Sequence, residues 1–126
     1  MKVRCIKLLK PDGSDNLERS NGWLTVGNEY TVLSIYGGRQ GVPIKYRLIG
    51  DRNQNTPAMH DVTQFEIISP DIPSGWTFKL YSDQEWSLEP AAWAKKGFWE
   101  AYFDQDKDAQ EIFEKEVERI KSRGSE

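Results

Sequence analysis

Hydrophobic and polar residues alternate over much of the first eighty positions, which is the period of a β-strand. Glycine, proline and asparagine interrupt this alternation at short intervals. The pattern predicts strands at 1–9, 29–36, 44–48, 58–60, 65–68 and 76–80. Residues 29–50 are predicted to form a hairpin, and residues 61–64 a 3₁₀ turn. Short strands in this order predict a small barrel. The polar segment 12–22 is predicted to be a long loop between strands that could carry a functional surface.

The period changes after Trp86, where aromatic residues become dense and the spacing becomes helical. Pro90 suits the first turn of a helix that Gly97 would end. Phe98 to Phe103 is predicted to form another helical turn. Seven large aromatic side chains recur through this stretch, and they cannot all be exposed to solvent: Trp86, Trp93, Phe98, Trp99, Tyr102, Phe103 and Phe113. We therefore expect the segment to pack onto the strand-rich part of the chain.

A final helix is predicted from its apolar spacing and from a start signal, because Asp108 and Glu111 have the spacing of a capping box. Its buried face is predicted to hold Ala109, Ile112, Phe113, Val117 and Ile120. The expected architecture is mainly β with C-terminal α, in the α+β class. Residues 1–126 form a single domain, in which a barrel over 1–80 is covered by an aromatic helical extension over 81–126.

Length and cysteine content limit the classes of protein to consider. A chain of 126 residues has the size of one ordinary domain and needs no cross-links to be stable. The single cysteine, Cys5, excludes an internal disulfide and favours a reducing compartment. Met1 to Lys10 is too short and too charged for a signal peptide, and no apolar run approaches the length of a membrane span. The expected localisation is cytoplasmic.

Candidate catalytic groups are few. The only histidine, His60, stands beside Asp61 and could act as a base oriented by a carboxylate. No serine or cysteine lies in a recognisable nucleophile motif, so a structural His60 is the favoured interpretation. Cys5 fits a small core residue better than a thiolate. One histidine and one cysteine cannot form a nitrogen–sulfur metal site, so we predict a protein without catalytic activity or cofactor.

Acidic residues concentrate near the C-terminal end. Residues 1–80 carry ten Lys or Arg against eight Asp or Glu, whereas residues 81–126 carry seven against twelve. Asp104, Asp106 and Asp108 match the first positions of a calcium-binding EF-hand loop. Ala109 stands where that loop needs glycine, and Lys115 stands where it needs glutamate. The three aspartates are better explained as stabilising the start of the final helix or as binding a partner.

Basic residues gather near the central hairpin, together with Tyr36 and Tyr46: Arg39, Lys45, Arg47 and Arg52. Basic and aromatic residues in alternation can bind single-stranded nucleic acid. A solvated hairpin face has the same composition. The net charge of −3 argues against nucleic acid, because neutralising phosphates requires a concentrated basic surface. Glycines 37, 38 and 41 lack the lysine and hydroxyl residues of a phosphate loop, so turn formation explains them.

Two sets of passages resemble one family. The first set is Leu24 to Leu33, Tyr46 to Asp51 and Gln64 to Ile68. The second set is Pro90 to Trp93, Gly97 to Glu100, Tyr102 to Asp104 and Ala109 to Ile120. Together they resemble the small bacterial SH3-like immunity proteins of polymorphic-toxin and contact-dependent inhibition systems. This resemblance covers most of the chain and implies an SH3-like barrel followed by a helical extension packed on it.

The resemblance implies a protein that binds and neutralises a cognate bacterial toxin by occluding its active site. The expected partner is a basic toxin domain, such as a nuclease, with no membrane and no nucleic acid involved. Acidic side chains that could plug a basic active site are the candidate contacts: Glu100, Asp104, Asp106, Asp108, Glu111, Glu114 and Glu118. The loop 12–22 is an alternative surface. A small non-catalytic adaptor or regulatory binding module, of the kind a phage or mobile element could encode, is the competing interpretation.

Overall fold

The computed structural model describes residues 1–51, 56–81 and 84–124, with side chains as far as Ser122. It is mostly β with a helical C-terminal part, so the expected α+β class is confirmed. The strands are β1 Lys2–Cys5, β2 Leu8–Leu9, β3 Asp15–Asn16, β4 Glu29–Thr31, β5 Ser34–Gly37, β6 Lys45–Ile49, β7 Pro57–Asp61, β8 Phe65–Ser69, β9 Trp76–Leu80 and β10 Trp86–Pro90. A 3₁₀ turn covers Val62–Gln64, and the helices are α1 Phe98–Phe103 and α2 Lys107–Gly124.

The strands form three sheets in the described part of the chain. One has the order β4-β1-β8, a second has the order β7-β6-β5-β10-β9, and β2 pairs with β3 alone. None of these sheets closes on itself, so the expected SH3-like barrel is not confirmed. The predicted central hairpin is present as β5 and β6, which pair antiparallel with Ile35 opposite Tyr46.

The five-stranded sheet is the central layer, because successive side chains of a strand point to opposite faces. Tyr46 and Leu48 of β6 belong to a first core, shared with the three-stranded sheet. Ile49 packs against a second core, which lies under the helices. The buried residues of the first core are Val3, Cys5, Leu8, Leu24, Tyr30, Val32, Tyr46, Leu48 and Phe65. Those of the second are Leu33, Trp93, Phe98, Ala109, Phe113, Val117 and Ile120.

Two predicted strands are each divided in the structure. The strand predicted at 29–36 is split after β4, because the Val32 N–H bonds to Met1 O while the Leu33 N–H bonds to Arg47 O. Val32 enters the first core and Leu33 the second, so two consecutive apolar residues are both buried. The strand predicted at 1–9 is split between Cys5 and Leu8, where the chain turns along Gln64.

The helix predicted from Pro90 to Gly97 is wrong. Pro90 is the last residue of β10, opposite Trp76, and residues 91–97 form consecutive turns. The strand itself shows alternation, since Ser87 and Glu89 point to one face and Trp86 and Leu88 to the other. The first ten residues assigned to the helical extension therefore contain a strand of the central sheet.

The final helix starts close to its predicted position but with a different cap. Asp106 Oδ2 accepts a hydrogen bond from the Ala109 N–H at 3.0 Å, which places the cap two residues before the predicted Asp108. Four of the five predicted face residues are buried. Ile112 is the exception and is 40% exposed, because it lies a quarter-turn away from the line through Phe113.

Neighbouring residues on α2 should therefore respond very differently to truncation. Phe113→Ala removes a side chain that is 1% exposed, and it should lower the free energy of unfolding by about 3–5 kcal/mol. Ile112→Ala is the matched control and should cost less than about 1 kcal/mol. Chemical denaturation monitored by tryptophan fluorescence measures both. Equal costs would contradict this assignment of the helix faces.

Candidate functional site

A cluster of polar side chains is buried between the central sheet and the helices. It consists of Tyr36, Arg47, Glu89 and Trp99, and we call it the buried polar cluster. Arg47 is 6% exposed and Glu89 is 1% exposed. The Tyr36 hydroxyl donates to Glu89 Oε1 at 2.6 Å, and Trp99 Nε1 donates to the same oxygen at 3.2 Å. Three strands and α1 thus meet around one carboxylate.

The Arg47 guanidinium is held between aromatic rings. Its Cζ lies 3.8 Å from the Trp99 ring centroid and 5.0 Å from that of Tyr36, at a distance suited to cation–π attraction. Arg47 Nε also donates to the Tyr36 hydroxyl at 3.2 Å. Burial raises the pKa of Tyr36, so the phenol stays protonated and donates to Glu89. The cluster joins the helices to the sheet.

This arrangement removes Arg47 from the basic surface considered for nucleic acid. Arg39 is exposed and its Nε lies 3.7 Å from Glu85 Oε1. Lys45 is half-buried, and Arg52 lies outside the described residues. Of the described basic residues of the hairpin, Arg39 and Lys45 line one depression, which also contains Glu85, and Arg47 is buried away from it.

The predicted acidic residues fall into separate groups, all exposed. Glu111, Glu114 and Glu118 follow one another at spacings of three and four residues on one exposed side of α2, and we call them the acidic ridge. Glu114 and Glu118 line a shallow groove with Ile49. Burial and the nearby Glu114 charge both raise the pKa of Tyr102. Glu114 therefore lies close to Tyr102, whose ring packs against Phe113.

The other predicted acids lie at the ends of the helices. Asp104 ends α1, and Asp106 caps α2. Asp108 belongs to the first turn of α2, where its charge favours the helix dipole. Among the described residues no group of three or more acidic, histidine or cysteine side chains could hold a metal ion. Glu100 lies apart from the ridge, in a depression lined by Lys79, Lys95 and Lys96.

Among the described residues no ion pair engages the acidic ridge, although Lys121 lines the same groove as Glu114 and Glu118. The ion pairs found among the described residues are Arg4 with Glu29, Arg4 with Glu66, Arg39 with Glu85, and Arg119 with Glu116. None of the seven predicted acids takes part in them. The ridge thus carries three adjacent carboxylates without an ion-pair partner in the described structure, as do the exposed Asp15 and Glu18 elsewhere on the surface.

A second candidate surface is a wide polar cleft. Of its lining, the sequence indicated only the loop 12–22 as a functional surface. The cleft runs between residues 9–23 and the β6–β7 region, and Asp12, Asn21, His60 and Gln64 are among its lining residues. Burial, with a smaller effect of Lys45, lowers the pKa of His60 to about 4. Asp61 does not orient this histidine, because its Oδ1 accepts from the Thr63 N–H and hydroxyl.

Comparison with known proteins identifies no relative: no family model, curated protein or solved structure matches this chain. No helix in the described part of the chain is long and apolar enough to cross a membrane.

The buried polar cluster should show strong coupling between its charges. Arg47 and Glu89 are linked through the Tyr36 hydroxyl rather than by a direct ion pair. Arg47→Met removes the nearby cation from this buried cluster and should destabilise the protein by about 3–5 kcal/mol. Adding Glu89→Leu removes the buried carboxylate as well, so the double variant should be more stable than the Arg47→Met variant alone. Urea denaturation of the four proteins of the cycle tests this. Additive costs would show that the two residues act independently.

His60 should make stability depend on pH. The neutral imidazole is favoured in the folded state, with a pKa of about 4 against an ordinary value of 6.5, so between these values the unfolded chain binds more protons. Stability should therefore fall as the pH drops from 6.5 to 4, by about 2–3 kcal/mol from this residue. In a His60→Gln variant this contribution should be absent. Parallel urea curves of both proteins over that range are the measurement, and identical pH dependence would contradict it.

Proposed function

We propose that this protein is an immunity protein, which binds a cognate bacterial toxin domain in the cytoplasm and blocks the toxin's active site. The observation that carries the proposal is the acidic ridge. Its three carboxylates are exposed, have no ion-pair partner in the described structure, and stand on a helix whose opposite face is fully packed. A negatively charged surface held in place by a core is suited to recognising a basic protein.

The ridge would act mainly by electrostatic attraction and occlusion. From Glu111 to Glu118 the ridge covers two turns of α2, or about 10 Å along the helix axis. That length suits a cleft lined by lysine and arginine, such as the phosphate-binding site of a nuclease. Complementary charge accelerates encounter and disfavours partners of the same sign. Neutralisation by this route requires no chemical step.

The resemblance to SH3-like immunity proteins rests on sequence passages, and of the fold that it implies only the α+β class is present, without a closed barrel. Its first set of matching residues includes a small polar corner, where Asp51 accepts from the Tyr30 hydroxyl at 2.8 Å and from Thr25 Oγ1 at 2.7 Å. These contacts organise the first core. The residues of this first set therefore serve folding, whereas the ridge lies in the second set, within Ala109 to Ile120, and we assign recognition of one toxin to it.

The polar cleft supports a second candidate function, a non-catalytic adaptor that binds an extended peptide. The cleft is larger than the groove beside the ridge and combines Trp23 and Pro43 with several amide and carboxylate side chains. Such a lining offers both apolar contact and hydrogen bonds to a peptide backbone. The two candidates place the partner on different surfaces, so only the immunity candidate requires the carboxylates of the ridge.

The decisive experiment co-expresses this chain with the toxic domain encoded immediately upstream of its gene. The wild type should rescue growth and form a one-to-one complex. The triple variant Glu111→Gln, Glu114→Gln, Glu118→Gln should bind about 10- to 100-fold more weakly, with a smaller dependence on salt. These three residues are preferable to Asp106, because changing Asp106 would also remove the helix cap.

A control variant with the same change in charge is Asp15→Asn, Glu18→Gln, Asp71→Asn, at three exposed positions away from α2. It should bind as the wild type does. Weakening by this control alone would move the partner to the excursion loop. Absence of a toxic domain beside the gene, or of any complex with it, would overturn the immunity proposal.

A further inference from the structure

Strand β9 has exposed apolar side chains at the edge of the central sheet. It is the last strand of the order β7-β6-β5-β10-β9, so among the described strands only β10 pairs with it. Phe78 is 60% exposed and Leu80 is 65% exposed. Both point to the same face as Trp86, on which the Phe78 ring stacks at 5.9 Å. An edge of this kind is a template for another strand.

The free backbone groups of β9 can be placed from its pairing with β10. The Tyr81 N–H bonds to Glu85 O at 2.7 Å. Hydrogen-bonded and non-hydrogen-bonded pairs alternate in an antiparallel ladder, so Lys79 and Thr77 also bond inward. Pro90, which lacks an N–H, stands opposite Trp76 at a position that requires none. The N–H and C=O groups of Trp76, Phe78 and Leu80 therefore point outward.

The β9 edge lacks the proline and acidic residues that prevent the other sheet edges from pairing with a second molecule. The remaining edge strands of the two larger sheets contain a proline or a carboxylate, namely Glu29 in β4, Glu66 in β8, and Pro57 and Asp61 in β7. Such residues discourage pairing between molecules. In β9 the only charge is Lys79, and its Nζ is engaged by donating to Ala94 O at 2.8 Å.

The sequence of β9 is complementary to itself. In an antiparallel pair centred on Phe78, the two Phe78 side chains face each other and Trp76 faces Leu80 of the second copy. All of these side chains lie on one face. Lys79 then stands opposite Thr77, so no like charges meet. The outward N–H and C=O groups of Trp76, Phe78 and Leu80 coincide with the hydrogen-bonded positions of that register.

We propose that two copies of this protein associate through β9, antiparallel about a twofold axis at Phe78, to join their central sheets into one. The interface is isologous, as in most homodimers. It does not involve α2, so the acidic ridge of each copy stays free. This proposal stands independently of the one on toxin binding.

Sedimentation of the full chain over a concentration series should show a reversible dimer at about 100 μM or below. Phe78→Glu and Phe78→Lys should each sediment as a monomer, because like charges would face each other across the axis. An equimolar mixture of the two variants should restore a dimer, since the glutamate then faces the lysine. Only a register that brings residue 78 of both copies together gives this recovery.

Circular dichroism should be used to check that each variant is folded. Leu17→Glu, at a position 96% exposed, serves as a control that should leave the dimer unchanged. A wild type that is monomeric throughout the concentration series would overturn the proposal. So would a dimer that survives both substitutions, or a mixture that remains monomeric.

Discussion

The burial of Arg47 is the constraint on which the other features depend. A guanidinium that is almost inaccessible to water is very costly unless aromatic rings and hydrogen-bond acceptors surround it. Here Trp99 covers it from α1 and Tyr36 from β5, while Glu89 of β10 accepts from both of those side chains. Each component comes from a different element. The helices can therefore satisfy this arginine in one position on the sheet only.

That position determines how the rest of the C-terminal part packs. Trp93 stacks on Phe113 with ring centroids 5.0 Å apart, and Trp99 meets the same phenylalanine edge-on at 6.0 Å. Through these rings the buried cluster fixes the rotation of α2 about its own axis. Glu111, Glu114 and Glu118 are turned outward as a consequence. The backbone of α2 that carries the acidic ridge is therefore held in one orientation. A helix held in this way would lose less conformational entropy on binding the proposed partner.

The parts of this structure that follow a local rule could be predicted from the sequence. Alternation identified the β5–β6 hairpin and β9, and helical spacing identified most of the buried face of α2. The division of the predicted strand 29–36 between Val32 and Leu33 could not be predicted. It occurs because Val32 is buried in the first core and Leu33 in the second. The helix expected at Pro90 is absent because Pro90 ends β10 beyond its pairing with β5, where a missing N–H costs no hydrogen bond of the sheet.

The candidate site was predictable in composition but not in arrangement. Charge counting found the acids of α2, yet nothing local separates the unpaired ridge from Asp106, which caps the helix, or from Glu100, which lies among lysines. Arg47 was read as a surface residue, because a basic residue on a hairpin is usually solvated and its aromatic partner is over fifty residues away. Contacts between distant segments determine these roles.

The most direct measurement is a titration of the isotopically labelled protein with the proposed toxin domain, in which amide chemical shifts are followed. If the ridge recognises the toxin, the largest shift changes should centre on residues 111–118 of α2, while the amides of Asp12, Asn21 and His60 in the polar cleft stay unperturbed. Changes concentrated in the cleft, with α2 unaffected, would contradict recognition through the acidic ridge.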